Sequence, residues 1–130
     1  MQLEIDPASP VTPSEQLADQ VRFALAAGRL CGGDRLPSVR DVARSARINP
    51  NTVSRAWREL ELGGLLVARR GTGMFVTDEG PAIARAFRTR VVTERLGRAV
   101  GEALAAGLGA EEVQELVADA CRAWPVEGES

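Results

Sequence analysis

Three short stretches decide the fold: Arg35-Leu36-Pro37-Ser38-Val39-Arg40-Asp41, Asn49-Pro50-Asn51-Thr52-Val53 and Arg69-Arg70-Gly71-Thr72-Gly73. In the first, Pro37-Ser38 marks a helix start. Ser38 suits an N-cap, and Asp41 falls at N3, where its charge favours the helix dipole. Val39, Val42, Ala43 and Ala46 give this short helix, about nine residues, an inner face. In the second stretch Asn49 opens a helix and Pro50 takes its first position, where a missing N–H costs nothing. Val53, Ala56, Trp57 and Leu60 recur at i, i+3, i+4 and i+7, so one face of that helix is apolar, and Gly63-Gly64 ends it. Only Arg47 and Ile48 separate the two helices, a connection as short as a helix-turn-helix needs. The third stretch lies between two apolar runs, Leu65–Ala68 and Met74–Thr77, and predicts a β-hairpin with a basic loop.

Upstream, residues 1–13 contain Pro7, Pro10 and Pro13 and no helical period, which reads as an extended arm. A first helix is expected from Ser14 as N-cap, with Leu17 at N3. Leu17, Val21, Ala24 and Leu25 form its buried stripe, and Gly28 is its natural C′ residue. Cys31-Gly32-Gly33-Asp34 reads as a turn. Downstream, Asp78-Glu79-Gly80-Pro81 breaks the pattern and marks a domain boundary. Phe87, Val91, Val92, Leu96, Val100 and Leu104 then outline a long amphipathic helix. Gly107-Leu108-Gly109 interrupts it. Val113, Leu116, Val117, Ala120, Cys121 and Trp124 outline a second helix, and Pro125 and a polar tail close the chain. The expected fold is mostly α with a small β-hairpin. It comprises a winged helix-turn-helix domain over residues 11–77, followed by a two-helix C-terminal dimerisation segment over residues 81–124.

Composition narrows the function. A chain of 130 residues allows one compact domain plus an appendage. The net charge of −2 conceals an asymmetry: residues 34–75 carry eight arginines against four acids, whereas residues 76–130 carry six against ten. All sixteen basic residues are arginine, and there is no histidine. Without histidine, Ser-His-Asp and Cys-His sites and histidine-containing zinc sites are excluded. Without lysine there is neither a Schiff base nor a phosphate-loop lysine, and Gly71-Thr72-Gly73 is too short for a dinucleotide fingerprint. Glu111, Glu112 and Glu115 read as solvated charge at a helix start. No catalytic residue, metal or cofactor is expected. Cys31 and Cys121 read as structural or incidental thiols, with a regulatory disulfide between chains as the alternative. No apolar run approaches ~20 residues. Met1 to Ile5 shows no basic or apolar leader region, so the cytoplasm is the expected location and no membrane partner is expected.

The polar residues of the three stretches suit double-stranded DNA. Asn51, Thr52, Ser54, Arg55 and Arg58 face away from the apolar stripe of the third helix. Asn can pair bidentately with adenine, Arg with guanine, and a Thr methyl can touch thymine. Ser38 and Arg40 stand at a helix N-terminus, a ready phosphate site. Arg69, Arg70 and Gly71 place two arginines beside a close-approaching backbone at a hairpin loop, which suits a wing on the minor groove.

In their order, these motifs resemble the DNA-binding domain of the GntR family of bacterial transcription regulators. The matching run extends from Gly28-Arg29-Leu30 through Gly33–Ala43, Asn49–Val53, Leu60-Glu61-x-x-Gly64-Leu65-Leu66 and Arg69–Val76. The Asn-Pro-Asn-Thr-Val form and a tail of about fifty residues are similar to the YtrA subfamily, whose tail is a two-helix dimerisation segment. The resemblance implies that Arg40, Asn51, Thr52, Arg70 and Gly71 touch DNA, and Arg55 shares that helix face. It implies a homodimeric repressor on a near-palindromic operator, acting on a transporter operon and its own gene. A small-molecule effector is compatible with the family, and no residue pattern identifies one.

The dimer interface is assigned to Phe87, Val91, Leu96, Val100, Leu104, Val113, Leu116, Val117 and Trp124, because a lone helical hairpin would leave these stripes wet. Two departures from the family pattern stand out. Gly32 occupies a position where proline is usual, which predicts a looser turn. Arg47 replaces the usual glycine, at a cost of roughly 1–2 kcal/mol if the position is left-handed. The competing reading is a winged-helix module that binds protein without specific DNA binding, which the basic hairpin disfavours. A fragment of a GntR fusion to an aminotransferase-like domain is disfavoured by the lack of lysine.

Overall fold

The computed structural model describes residues 1–124, so Pro125 and the polar tail lie outside the described residues. The elements are α1 (Pro13–Ala26), α2 (Val39–Ala46), α3 (Pro50–Leu62), β1 (Leu66–Arg69), β2 (Gly73–Val76), α4 (Gly80–Ala105) and α5 (Ala110–Ala123). They fall into two compact units, one from Met1 to Thr89 and the other from Arg90 onward.

In the first unit, α3 packs against α1, α2 and β1. The anticipated stripes are inside: Leu17, Val21, Ala24 and Leu25 of α1, Val42 and Ala43 of α2, and Val53, Ala56, Trp57 and Leu60 of α3 are all buried. Val39 and Ala46 are only half-buried. Trp57 does more than fill space. Its indole N–H donates to the Pro37 carbonyl at 3.4 Å, fixing α3 against the start of α2. Arg22 of α1, also half-buried, pairs with Asp19 at 3.0 Å and with Glu59 of α3 at 3.3 Å. Its guanidinium lies 5.0 Å from the centroid of the Phe87 ring on α4.

Several boundaries differ from those read off the sequence. The first helix starts two residues earlier than the Ser14 N-cap implies. Pro13 is helical, and the Thr12 hydroxyl accepts the Glu15 N–H at 3.3 Å. Proline at the first helical position belongs to the helix rather than to the arm, because its lost donor is one the helix would leave unsatisfied. The hairpin pairs one residue further toward its tip than expected, with Arg69 opposite Gly73 and Leu66 opposite Val76, leaving Arg70-Gly71-Thr72 as the loop. The Asp78–Pro81 break is the entry to α4, with Pro81 in its first turn.

Two features were not legible. The N-terminal arm is docked. Leu3 is buried, and two glutamines one helical turn apart on α1 hold the backbone of the arm. Gln20 accepts the Glu4 N–H at 3.1 Å and donates to the Glu4 carbonyl at 2.6 Å. Gln16 does the same for Asp6, at 2.9 and 3.1 Å, and also donates to the Val11 carbonyl at 2.8 Å. Second, the segment after the Cys31–Asp34 turn joins the edge of the two-stranded sheet through an isolated bridge. Leu36 N–H donates to the Met74 carbonyl and Val76 N–H to the Asp34 carbonyl, both at 2.8 Å, with Arg35 bridged to Phe75. The turn itself is not loose. The Asp34 carboxylate accepts the Cys31 N–H at 2.8 Å, and a Cβ on Gly32 would stand 3.0 Å from the Asp78 Cα. Glycine there allows close approach of two backbone segments.

The start of α4 is packed as tightly. Gly80 and Ala84 are buried, and a Cβ on Gly80 would stand 2.8 Å from the Leu65 carbonyl oxygen and 3.1 Å from Thr77 Oγ1. Gly80→Ala is therefore expected to lower stability by about 1–3 kcal/mol through overpacking against backbone. Urea unfolding measures this, and an unchanged midpoint would show that the α4 entry is softer than its contacts imply.

Candidate nucleic-acid interface

The burial of Val53, Ala56, Trp57 and Leu60 turns the opposite side of α3 to solvent. Asn51, Ser54, Arg55 and Arg58 are exposed there at i, i+3, i+4 and i+7, and Thr52 is half-buried at its margin. Asn49 opens the helix: its side-chain oxygen accepts the Asn51 N–H at 2.9 Å. The Asn49 side-chain oxygen is therefore engaged with the backbone, while the Asn51 amide projects outward. At the start of α2, Ser38 Oγ accepts the Asp41 N–H at 3.1 Å, and Arg40 is exposed in the first turn. Accepting that bond leaves the Ser38 hydroxyl proton available for donation to an anion.

The wing is more highly organised than a generic basic turn. Gly71 has φ +76 and Gly73 φ +123, backbone that a side chain disfavours. The Arg69 guanidinium sits over the Phe75 ring, 4.3 Å from its centroid, a cation–π contact that restrains an otherwise flexible side chain. Arg35, which the sequence reading quoted only as part of a motif, reaches the same place: a Cβ on Gly73 would stand 3.1 Å from its Nε. The pairing of residues 34–36 with β2 brings it there, a non-local event with no local sequence signal. Arg70 occupies the loop and is exposed.

The electrostatic state of this surface follows from what its arginines lack. Arg40, Arg44, Arg47, Arg55, Arg58 and Arg70 are exposed, and among the described residues none forms an ion pair with the chain's own carboxylates. Arg22 and Arg122, by contrast, are paired internally. Arg44 and Arg47, exposed and without an ion pair, were not among the residues singled out from the sequence for this surface. The excess of arginine over acid between residues 34 and 75 was the signal that could have found them.

The residues assigned to a dimer interface divide. Phe87 belongs to the first unit, beneath Arg22. In the second unit Leu96, Leu104, Leu116, Val117 and Trp124 are exposed, Val91 and Val100 are half-buried, and Val113 is buried. Val100, Leu104, Ala110, Val113 and Val117 line an open apolar cleft. Cys31 and Cys121 are both free and exposed. Among the described residues there is no group of side chains fit to hold a metal ion, and no helix long and apolar enough to cross a membrane.

Comparison with known proteins places these features in context. The model of the family described as bacterial regulatory proteins, gntR family, matches residues 13–76. The chain is 32% identical over 115 residues to the HTH-type transcriptional repressor YtrA of Bacillus subtilis (strain 168), covering 88% of each. It is 36% identical over 100 residues to the uncharacterized HTH-type transcriptional regulator YhcF of the same organism, covering 77% of this chain and 82% of that protein. Among solved structures, a transcriptional regulator from Oenococcus oeni matches with a TM-score of 0.72 and 29% identity, over 89% of this chain and 99% of its own.

The cap at the head of α3 gives a direct test of how that end is held. Asn49→Ala should cost about 1 kcal/mol, and Asn49→Ser much less, because the serine hydroxyl can accept a similar bond. Equal losses in thermal unfolding would mean that the side-chain cap is not what organises this terminus.

Proposed function

The chain belongs to the GntR family of bacterial transcription regulators, and on that premise we propose that it is a homodimeric, sequence-specific repressor acting in the cytoplasm on a near-palindromic operator. The observation that carries the reading is the set of exposed arginines without an ion pair among the described residues, spread over α2, the turn after it, α3 and the hairpin loop. A surface that retains six uncompensated cations in a chain of net charge −2 is suited to a local polyanion. Asn51, Thr52 and Arg55 take the role of base readers, because a recognition helix meets base edges mainly through its N-terminal residues. Ser38, Arg40, Arg69, Arg70 and Gly71 take the phosphates and the groove rim.

Dimerisation is supported by the second unit. Leu96, Leu104, Leu116, Val117 and Trp124 are large, apolar and between 38% and 79% exposed. Water against so much apolar surface is unfavourable, and a second copy would cover it in one isologous contact. Two recognition helices would then address half-sites about one helical turn apart, ~34–36 Å or a multiple. Repression follows the name of the YtrA relative, and a transporter operon and its own gene as targets follow only from the resemblance to the YtrA subfamily.

A footprint on the DNA upstream of the protein's own gene tests the whole reading, and absence of protection there would favour a protein-binding module. At the residue level two substitutions should separate. Arg40→Ala should weaken binding to every duplex alike and lower the magnitude of the salt slope by about one. Asn51→Ala should cost on the order of 1–3 kcal/mol against the operator only. If both lost specific and non-specific affinity in parallel, the division into positioning and reading groups would be wrong. For the dimer, Leu116→Glu combined with Leu96→Glu should convert the protein to monomers in sedimentation experiments while leaving the first unit folded. A persistent dimer would rule out this surface.

A further inference from the structure

We propose that Arg47 is an additional contact to the DNA backbone, retained by this chain at the expense of backbone strain in the turn of its helix-turn-helix. Arg47 has φ 58 and ψ 49, and every other described residue with positive φ is a glycine. A side-chain-bearing residue is disfavoured in that region because its Cβ crowds the backbone. Strain of this kind persists where function requires the residue.

Nothing within the chain requires an arginine at this position. Its backbone N–H donates to the Ala43 carbonyl to close α2, a bond that glycine or asparagine makes equally well. Its side chain is exposed and has no ion-pair partner among the described residues. A cation at the C-terminal end of α2 would favour the helix dipole, but Arg44 already supplies one in the last turn.

The position supplies the missing requirement. Arg47 lies two residues before Asn49, the N-cap of α3. The turn therefore moves with the end of the recognition helix that enters the groove, and phosphates line the groove edge. A long, permanently charged side chain on that turn is suited to one of them. The contact adds affinity without reading sequence.

This inference rests on the DNA-binding reading above. Its test needs no knowledge of the operator, because a phosphate contact is independent of sequence. The full-length protein and its Arg47→Gly, Arg47→Asn and Arg47→Lys variants are titrated with a short duplex of mixed sequence across a range of salt, and each is unfolded in urea. Arg47→Gly and Arg47→Asn should unfold at higher urea than the unsubstituted protein. They should also bind about threefold to tenfold more weakly at low salt, with a salt slope smaller by about 0.9. Arg47→Lys should keep the slope. A glycine variant with an unchanged slope would overturn the contact. A glycine variant less stable than the unsubstituted protein would overturn the strain argument and return Arg47 to a structural role. An unsubstituted protein that binds no duplex even at low salt would instead remove the DNA-binding reading itself, and this assignment with it.

Discussion

The structure depends on one helix having to satisfy two environments at once. The inner face of α3 supplies Val53, Ala56, Trp57 and Leu60 to the core with almost no exposure. The same burial fixes the rotation of the helix, so Asn51, Ser54, Arg55 and Arg58 point outward without any interaction of their own to hold them there. Burying these side chains stabilises the fold by roughly 1.5–3 kcal/mol for each large one. The Trp57 indole adds direction: its bond to the Pro37 carbonyl ties the depth of α3 to the place where α2 begins. The two helix starts with the polar groups suited to DNA, at Ser38 and at Asn49, are thereby positioned relative to each other by a buried side chain.

Around this centre, backbone hydrogen bonds made far along the chain define the edges. Gln16 and Gln20 treat the N-terminal arm as a neighbouring strand would, offering one acceptor and one donor to each of two backbone residues. The segment around Arg35 pairs with β2 and steadies the wing from the side opposite β1. Arg69 over Phe75 gives the hairpin one restrained guanidinium group, with Arg35 beside Gly73 and Arg70 exposed in the loop. Ordering the Arg69 side chain before binding reduces the entropy lost when a ligand is met.

The two units show different surfaces. The first presents unpaired positive charge, and the second presents exposed leucine, valine and tryptophan. Only the apolar surface is unfavourable for a lone chain in water, whereas the exposed guanidinium groups are well hydrated. The charge asymmetry along the sequence and the apolar stripes after Pro81 are the one-dimensional traces of these two surfaces.

The sequence alone determined the features set by local chemistry. Helix starts at Ser38 and Asn49 were legible because capping depends on residues within one turn, and the core stripes because a helical period maps directly onto a face. The hairpin was legible from two apolar runs flanking Arg69–Gly73, though its strand ends were not, since one further pair at the tip, Arg69 with Gly73, changes no local preference. The start of α1 was misplaced by two residues because Pro13 suits an arm as well as a first helical turn. Tertiary structure decided the rest. Docking of the arm, the bridge at Arg35 and the burial of Gly80 and Ala84 depend on partners distant in sequence, whose meeting carries no periodic signature. Arg47 illustrates the division: its identity and position were plain in the sequence, but whether it was strained depended on the turn between α2 and α3, whose left-handed geometry is imposed by packing both helices onto one core.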